Sequence, residues 1–408
     1  MRKSLINLLG LAGISTCVLA QVFDPNQGTP TTSWDPETVG TNKTTNATYS
    51  NPVMTLNIGD PFMTRYTDVD GESWYLFTYT TNENITLRRS RYLTDDWDGA
   101  ETRVIFNPDK ESGESWSTSL WAPEIHNVKG KTNGKGKGKG GWYVIFTATS
   151  DGDNPSPLED ALCEYSCPAI NHRMFVLGSD GPDPWTADYD LKPTMLDTYD
   201  QFAIDGTYFT HGEKLYHVYS CWRHKYAGWP ANLCITEMSD PSTVSSSLLE
   251  RQIISVPDQP WEQVPYGRPT RLATNEGPQQ LTNPSTNQTF IIYSAARVNT
   301  PYYCLGMLEL VGSDPMQYQS WRKHGDGCIF HQNTAEDIYG TGHASFTTSP
   351  DGKEDYIVYH AQTTAKPRAD LYRTARVQRF TWNRDGTPRF PLAGNGPFDV
   401  PGGQRGLY

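Results

Sequence analysis

A chain of 408 residues that is 36% hydrophobic and 12% aromatic carries enough Trp, Tyr and Phe to build a core, which excludes a disordered protein. Its formal charge of -12 leaves little room for the basic surface that phosphate binding needs, so a nucleic-acid partner and a polyanionic substrate are both disfavoured. The 35 glycines and 29 prolines point to a chain of turns and short strands.

Residues 1–20 carry two basic residues, an apolar run and the small-residue ending Val18-Leu19-Ala20 before Gln21, the pattern of a secretory signal peptide. That run is short for a membrane span, and no later segment approaches about 18 uninterrupted apolar residues. The mature protein is therefore expected to be soluble, extracellular and free of any membrane. Residues 21–50 are rich in Thr, Asn and Pro and read as a glycosylated, partly disordered lead-in. Two of the four sequons, Asn42 and Asn46, lie in it, and the others are Asn84 and Asn287. Residues 51–408 remain for a single domain.

Removing Cys17 with the signal leaves Cys163, Cys167, Cys221, Cys234, Cys304 and Cys328. An even count in an oxidising compartment favours disulfides over metal binding. Sequence leaves the connectivity open, and sequential pairing is expected because each such pair then falls inside one repeat.

The repeat is visible along the chain. One strand type reads ESWYLFTY from Glu72, GWYVIFTATS from Gly141, EKLYHVYSCW from Glu213, TFIIYSAAR from Thr289 and DYIVYHAQT from Asp355. It recurs roughly every 70 residues. A second strand follows each copy, from Ile85, Arg173, Asn232, Cys304 and Ala375. A short punctuated segment precedes each: GDPFM at Gly59, WAPEI at Trp121, AIDGTYF at Ala203, NEGPQQL at Asn275 and GTGHASF at Gly340. No long helical stripe appears after the signal. Five copies of one small antiparallel unit predict an all-β, five-bladed β-propeller, with a β-sandwich or paired barrels as the competing arrangement. The tract from Lys129 to Gly141, KGKTNGKGKGKGG, reads as a mobile hairpin tip with solvated lysines.

The innermost strand of every blade lines the central channel, and the punctuated segments are the candidates for it. Asp60, Glu124, Asp205, Glu276 and His343 are then predicted to converge on one axis from equivalent positions. Asp205 lies inside a hydrophobic strand and must be buried or channel-facing. Asp60 and Glu276 lie beside Gly and Pro residues that constrain the backbone around an acid. Separated carboxylates facing one pocket suit glycoside hydrolysis, in which one acid protonates the leaving oxygen and another activates water. A gap of about 6.5–9.5 Å leaves room for that water and inverts the anomeric configuration. A third carboxylate raises the pKa of the acid by like-charge repulsion.

The motifs GDPF, WAPEIH, AIDGTYF, NEGPQ, YCLGML, YGTGHASFT and DLYRTARVQRFTWNRDGTPRFP together resemble glycoside hydrolase family 43, in order and over roughly residues 52–395. The resemblance implies an inverting enzyme on a five-bladed propeller, most similar to the exo-α-1,5-L-arabinofuranosidase branch. It implies Asp60 as general base, Asp205 as modulator of the acid and Glu276 as general acid. Many relatives read Ile-Asp-Pro where this chain has Ile204-Asp205-Gly206. His343 matches the histidine of a Gly-His-Asn-Ser motif, with Ala344 replacing the Asn. In several relatives that histidine lies near a bound calcium, so a Ca2+ site at His343 and a hydrogen-bonded structural histidine are both open. Trp121 matches an aromatic bordering the pocket, and Arg373 an arginine near the catalytic centre. Glu124 is placed to accept sugar hydroxyls or to orient a neighbour, and Trp222, Arg223 and His224 to line the rim.

The expected protein is a secreted, monomeric hydrolase that needs no cofactor and releases terminal arabinofuranosyl units from 1,5-linked arabinan or its oligosaccharides. A β-xylosidase or arabinoxylan-debranching enzyme differs only at the rim. A non-catalytic sugar-binding propeller is the alternative from another class, and it has no need of three acids.

Overall fold

A computed structural model describes residues 47–128, 141–150, 156–164, 167, 169–263, 273–366 and 371–404. The signal segment, most of the lead-in, its two sequons and nearly all of the lysine-glycine tract lie outside the described residues.

Five antiparallel sheets follow one another along the chain. Blade 1 comprises Gly59–Thr67, Ser73–Thr80, Ile85–Ser90 and Glu101–Phe106, and blade 2 comprises Thr118–Val128, Gly141–Thr149, Arg173–Gly178 and Thr194–Met195. Blade 3 has Ala203–His211, Lys214–Cys221 and Asn232–Asp240, with Thr243–Val244 and Gln252–Ser255 both paired to its third strand. Blade 4 has Asn275–Thr282, Thr289–Ala295, Cys304–Leu310 and Trp321–Lys323, and blade 5 has Tyr339–Thr348, Asp355–Gln362, Thr374–Trp382 and Pro388–Arg389. The fold is the predicted five-bladed propeller. Each punctuated segment forms a first, inner strand, and each aromatic run forms the second strand. The one α-helix among the described residues, Pro157–Leu162, lies in the connection between the second and third strands of blade 2.

The strands read as apolar runs rather than alternations because both faces of each sheet are covered. A hydrophobic cluster fills every junction between neighbouring blades. Phe62, Leu76 and Ile85 of blade 1 pack on Ile125, Val144 and Phe146 of blade 2. Ile145, Met174 and Val176 meet Tyr208 and Tyr219 between blades 2 and 3, and Val218 and Leu233 meet Ile291 and Tyr293 between blades 3 and 4. Blade 5 closes the ring onto blade 1 through Tyr356, Val358 and Val377 against Met63, Tyr75 and Phe77. The segment before blade 1 fastens that junction, because Tyr49 Oη and Asn51 Nδ2 both donate to the Val377 carbonyl at 3.0 Å.

All three disulfides pair sequentially as expected: Cys163–Cys167, Cys221–Cys234 and Cys304–Cys328. The second joins two strands of blade 3. Each closes a loop inside one repeat and restricts its unfolded chain.

Candidate active site

Every inner strand breaks register with its neighbour at the same place. The ladder slips between Gly59 and Phe62, Trp121 and Glu124, Ile204 and Thr207, Glu276 and Gln279, and Gly342 and Ser345. The first residue of each bulge has a left-handed backbone: Asp60 (φ 59°), Ala122 (43°), Asp205 (54°), Gly277 (54°) and His343 (46°). Asp, Asn and His tolerate that region better than other non-glycine residues, which suits three of the five. Bulges re-aim side chains, and here they turn Asp60, Asp205 and His343 toward one another.

This geometry corrects the expected equivalence. Asp60, Asp205 and His343 share the bulge position, whereas Glu276 precedes it by one residue, in the slot that Trp121 fills in blade 2. Glu124 follows it by two residues, in the slot of Phe62, Thr207, Gln279 and Ser345. The extra residue of the bulge produces these different heights, and acids read as one ring occupy three levels.

Side chains at the end of the second strands hold the bulges in place. Opposite the residue before each bulge stand Thr80, Thr147, Ser220, Ser294 and His360. Four of the five tie the next blade through its bulge N–H. The Ala122 N–H donates to Thr80 Oγ1 (2.7 Å), Asp205 to Thr147 Oγ1 (3.0 Å), His343 to Ser294 Oγ (2.7 Å) and Asp60 to His360 Nδ1 (3.1 Å). At the remaining junction Ser220 Oγ donates to the Asn275 carbonyl (2.9 Å), and the Gly277 N–H serves the Asp205 carboxylate instead. Sequence reasoning passed over these residues. Their signal was an aromatic followed by a small polar residue or histidine in every second strand: Tyr79-Thr80, Phe146-Thr147, Tyr219-Ser220, Tyr293-Ser294 and Tyr359-His360.

Asp60 is surrounded by donors. Arg373 Nη1 lies 2.9 Å and His343 Nδ1 3.2 Å from its Oδ1, and Thr80 Oγ1 donates to Oδ2 at 2.6 Å. Burial pushes the carboxyl up, but the Arg373 guanidinium above all, with His343 and the Thr80 hydroxyl, holds it well below the usual carboxylate range. Gly59 makes room for the guanidinium, since a Cβ there would lie 1.9 Å from Arg373 Nη2. His360 accepts from the Asp60 N–H, so a neutral ring carries its proton on Nε2. Burial holds it neutral, pushing it well below the ordinary histidine value.

Asp205 has the opposite surroundings. Burial first, then the charges of Glu276, Asp60 and Glu124, push its carboxyl well above the usual range against the Gly277 N–H. Burial also pushes Glu276 up to about 7, reinforced by Asp60 and opposed by the Tyr303 hydroxyl, Arg297 and Arg373. Tyr303 Oη donates to Glu276 Oε1 at 2.8 Å, and its ring stacks on His360 at 5.6 Å. His343 Nδ1 lies within 4.0 Å of both Asp60 and Asp205, so the two carboxylates border the same imidazole. The surroundings of Asp205 and Glu276 thus favour their protonated forms, and those of Asp60 favour its ionised form.

Trp121 is half-buried, donates through Nε1 to Asn82 Oδ1 (2.8 Å) and stacks on His172 at 4.1 Å. Glu124 is 3% exposed, and its oxygens are occupied by protein donors from three blades rather than left for a sugar. Trp222 is fully buried against Phe202, so it belongs to the core and not to the rim, and Arg223 and His224 pair with Glu164. Gly206, where Pro was the familiar residue, has a packing reason. A Cβ there would lie 2.3 Å from Nε2 of His217, a buried ring whose pKa burial lowers to about 3.

Calcium takes about six to eight oxygen ligands. Among the described residues no group of three His, Cys, Asp or Glu side chains is arranged to hold a metal. His343 directs Nδ1 at Asp60 and Asp205.

A family model for glycosyl hydrolases family 43 matches residues 49–388. The chain is 32% identical over 385 residues to an extracellular exo-α-(1→5)-L-arabinofuranosidase of Streptomyces avermitilis, covering 92% of this chain and 69% of that protein. It is 31% identical over 320 residues to an enzyme of the same description from Streptomyces chartreusis, covering 78% and 83%. The crystal structure of an α-L-arabinofuranosidase from Lactobacillus brevis superposes with a TM-score of 0.69 at 28% identity, covering 85% of this chain and 98% of that one.

Proposed function

The chain belongs to glycosyl hydrolases family 43, and from that premise we propose that it is a secreted, monomeric, inverting exo-α-L-arabinofuranosidase acting on 1,5-linked arabinan and arabino-oligosaccharides. It is a glycoside hydrolase, and the chemistry of its family needs no cofactor. One observation carries the reading of its site. Asp60 is buried among Arg373, His343 and Thr80, while Asp205 and Glu276 are buried beside other carboxylates, surroundings that favour an ionised acid and a protonated one at once, as inversion requires.

In this reading Asp60 takes a proton from a water as that water's oxygen bonds the anomeric carbon. The bond from that carbon to the glycosidic oxygen breaks through an oxocarbenium-like transition state, and Glu276 gives its proton to the departing oxygen. Asp205 favours the protonated form of Glu276 by charge repulsion. Arg373 and His343 hold Asp60 ionised and aimed, and Trp121 borders the sugar. A neutral furanoside suits an acidic protein. Secretion and the arabinose preference are supported by the sequence of residues 1–20 and by the printed descriptions of the relatives.

Proton NMR of the anomeric signals during the first minutes on linear 1,5-α-L-arabino-oligosaccharides tests this reading, with Glu276→Gln in parallel. The wild type is expected to release β-L-arabinose first, and the variant to lose about a thousandfold in turnover. An aryl arabinofuranoside, whose leaving group needs less protonation, is expected to be hydrolysed far better than the oligosaccharide by the variant. Initial release of the α-anomer, or a Glu276→Gln enzyme near wild-type on the oligosaccharide, would contradict the assignment. Turnover of xylo-oligosaccharides alone would move the substrate to xylose.

A further inference from the structure

The inner strands that carry the catalytic acids belong to separate sheets with no hydrogen-bonded ladder between them. Side-chain ties between inner strands add to the packed junctions in holding the acids relative to one another. At the level below the bulges, Ser345 Oγ donates to the Pro61 carbonyl (3.0 Å) and accepts from the Met63 N–H (3.1 Å), joining blade 5 to the strand of Asp60. The equivalent residue of blade 2 is Glu124. Thr207 Oγ1 donates to Glu124 Oε2 at 2.7 Å, Gln279 Nε2 donates to Oε1, and His126 Nε2 lies 2.7 Å from Oε2. The His126 ring in turn lies 4.7 Å from that of Phe62 in blade 1.

We propose that Glu124 is a positioning residue that sets the separation of Asp205 and Glu276, an inference that rests on the catalytic reading above. Thr207 lies two residues after Asp205 on its inner strand, and Gln279 three residues after Glu276 on the next. One carboxylate thus holds both strands from beneath. Only a group with two acceptor oxygens serves three donors at once, and an amide in its place turns an NH2 toward at least one of them. A displacement of about 1 Å at reacting groups costs about a hundredfold in rate.

The test is steady-state kinetics on 1,5-arabino-oligosaccharides for Glu124→Gln, for the exchanged pair Glu124→Gln with Gln279→Glu, and for Glu276→Gln, with the Tm of each. Glu124→Gln is expected to lower kcat about a hundredfold with KM within about threefold of wild type. The exchanged pair, which restores an amide-to-carboxylate tie, should recover about tenfold of that loss. A raised KM at unchanged kcat would make Glu124 a sugar contact and overturn the proposal. So would a kcat within about threefold of wild type, or an exchanged pair no better than the single variant. If Glu124→Gln does not fold, Thr207→Val and Gln279→Met decide the matter: each should cost about tenfold in kcat at constant KM, and unchanged kcat in both overturns it. Glu276→Gln separates the two failures. An active Glu276→Gln sinks the catalytic reading itself, whereas an inactive one beside an unimpaired Glu124→Gln sinks positioning alone.

Discussion

Asp60 and Asp205 occupy one position in blades 1 and 3. Each begins the inner-strand bulge with φ near 55–60°, and each N–H donates to a side chain of the preceding blade, His360 for one and Thr147 for the other. Their carboxyls titrate in opposite directions. Burial raises both, but Asp60 has a guanidinium at 2.9 Å with His343 and the Thr80 hydroxyl beside it, whereas Asp205 faces Glu276, Asp60 and Glu124. Unit charges about 4 Å apart interact by about 4 kcal/mol at an effective dielectric of about 20, so one neighbour suffices to choose the sign. The repeat brings a carboxylate to the axis, and the adjoining blades set its proton.

Removing the guanidinium should break this contrast most strongly. Arg373→Met leaves burial of Asp60 less opposed, so its carboxyl rises toward or past the ordinary range. The acid limb of kcat/KM is then expected to move up by about two pH units, with about a hundredfold loss at the optimum. A pH profile with an unmoved acid limb would mean that Asp60 is held ionised by other groups.

Asp205→Asn tests the other side with a smaller effect. Once the pair has lost its proton, Asp205 and Glu276 repel each other, and the variant lacks that repulsion, so the alkaline limb of kcat/KM should move down. The optimum rate should fall about tenfold. An alkaline limb that stays in place would disconnect the two acids.

The smallest effect is on stability. Glu276 rises from 4.5 in the unfolded chain to about 7 in the fold, so the folded state retains a proton that the unfolded state has lost. The associated stability is present below about pH 4.5 and is lost as pH rises through about 7, worth about 3 kcal/mol for a group this buried. Glu276→Gln escapes that loss and keeps an acceptor for Tyr303. Its Tm should exceed that of wild type by roughly 3 °C at pH 8 and match it near pH 4. Equal Tm values at pH 8 would place the shared proton on Asp205 alone.

Much of the architecture was legible along the chain. The five aromatic runs are the five second strands, the punctuated segments are the five inner strands, and Cys221–Cys234 and its companions pair within repeats. Asp60, Asp205, Glu276, His343 and Arg373 do come together. The levels of the acids were not legible, because one extra residue in a bulge changes which slot a side chain fills without changing the residue order that precedes it. Thr80, Thr147, Ser294 and His360 escaped notice because a hydroxyl or imidazole at a strand end has no visible partner until the next blade is placed beside it. Trp222 misled for the same reason: only packing separates an aromatic in the core from one on the rim.

Residue order alone thus established the number of blades and the inner strands, because periodic burial is written locally. Protonation is not local. Arg373 lies 313 positions from Asp60 along the chain, and Gln279 lies 155 from Glu124. Closing the ring brought those charges and hydrogen bonds within reach, and with them came surroundings that push similar carboxyls in opposite directions.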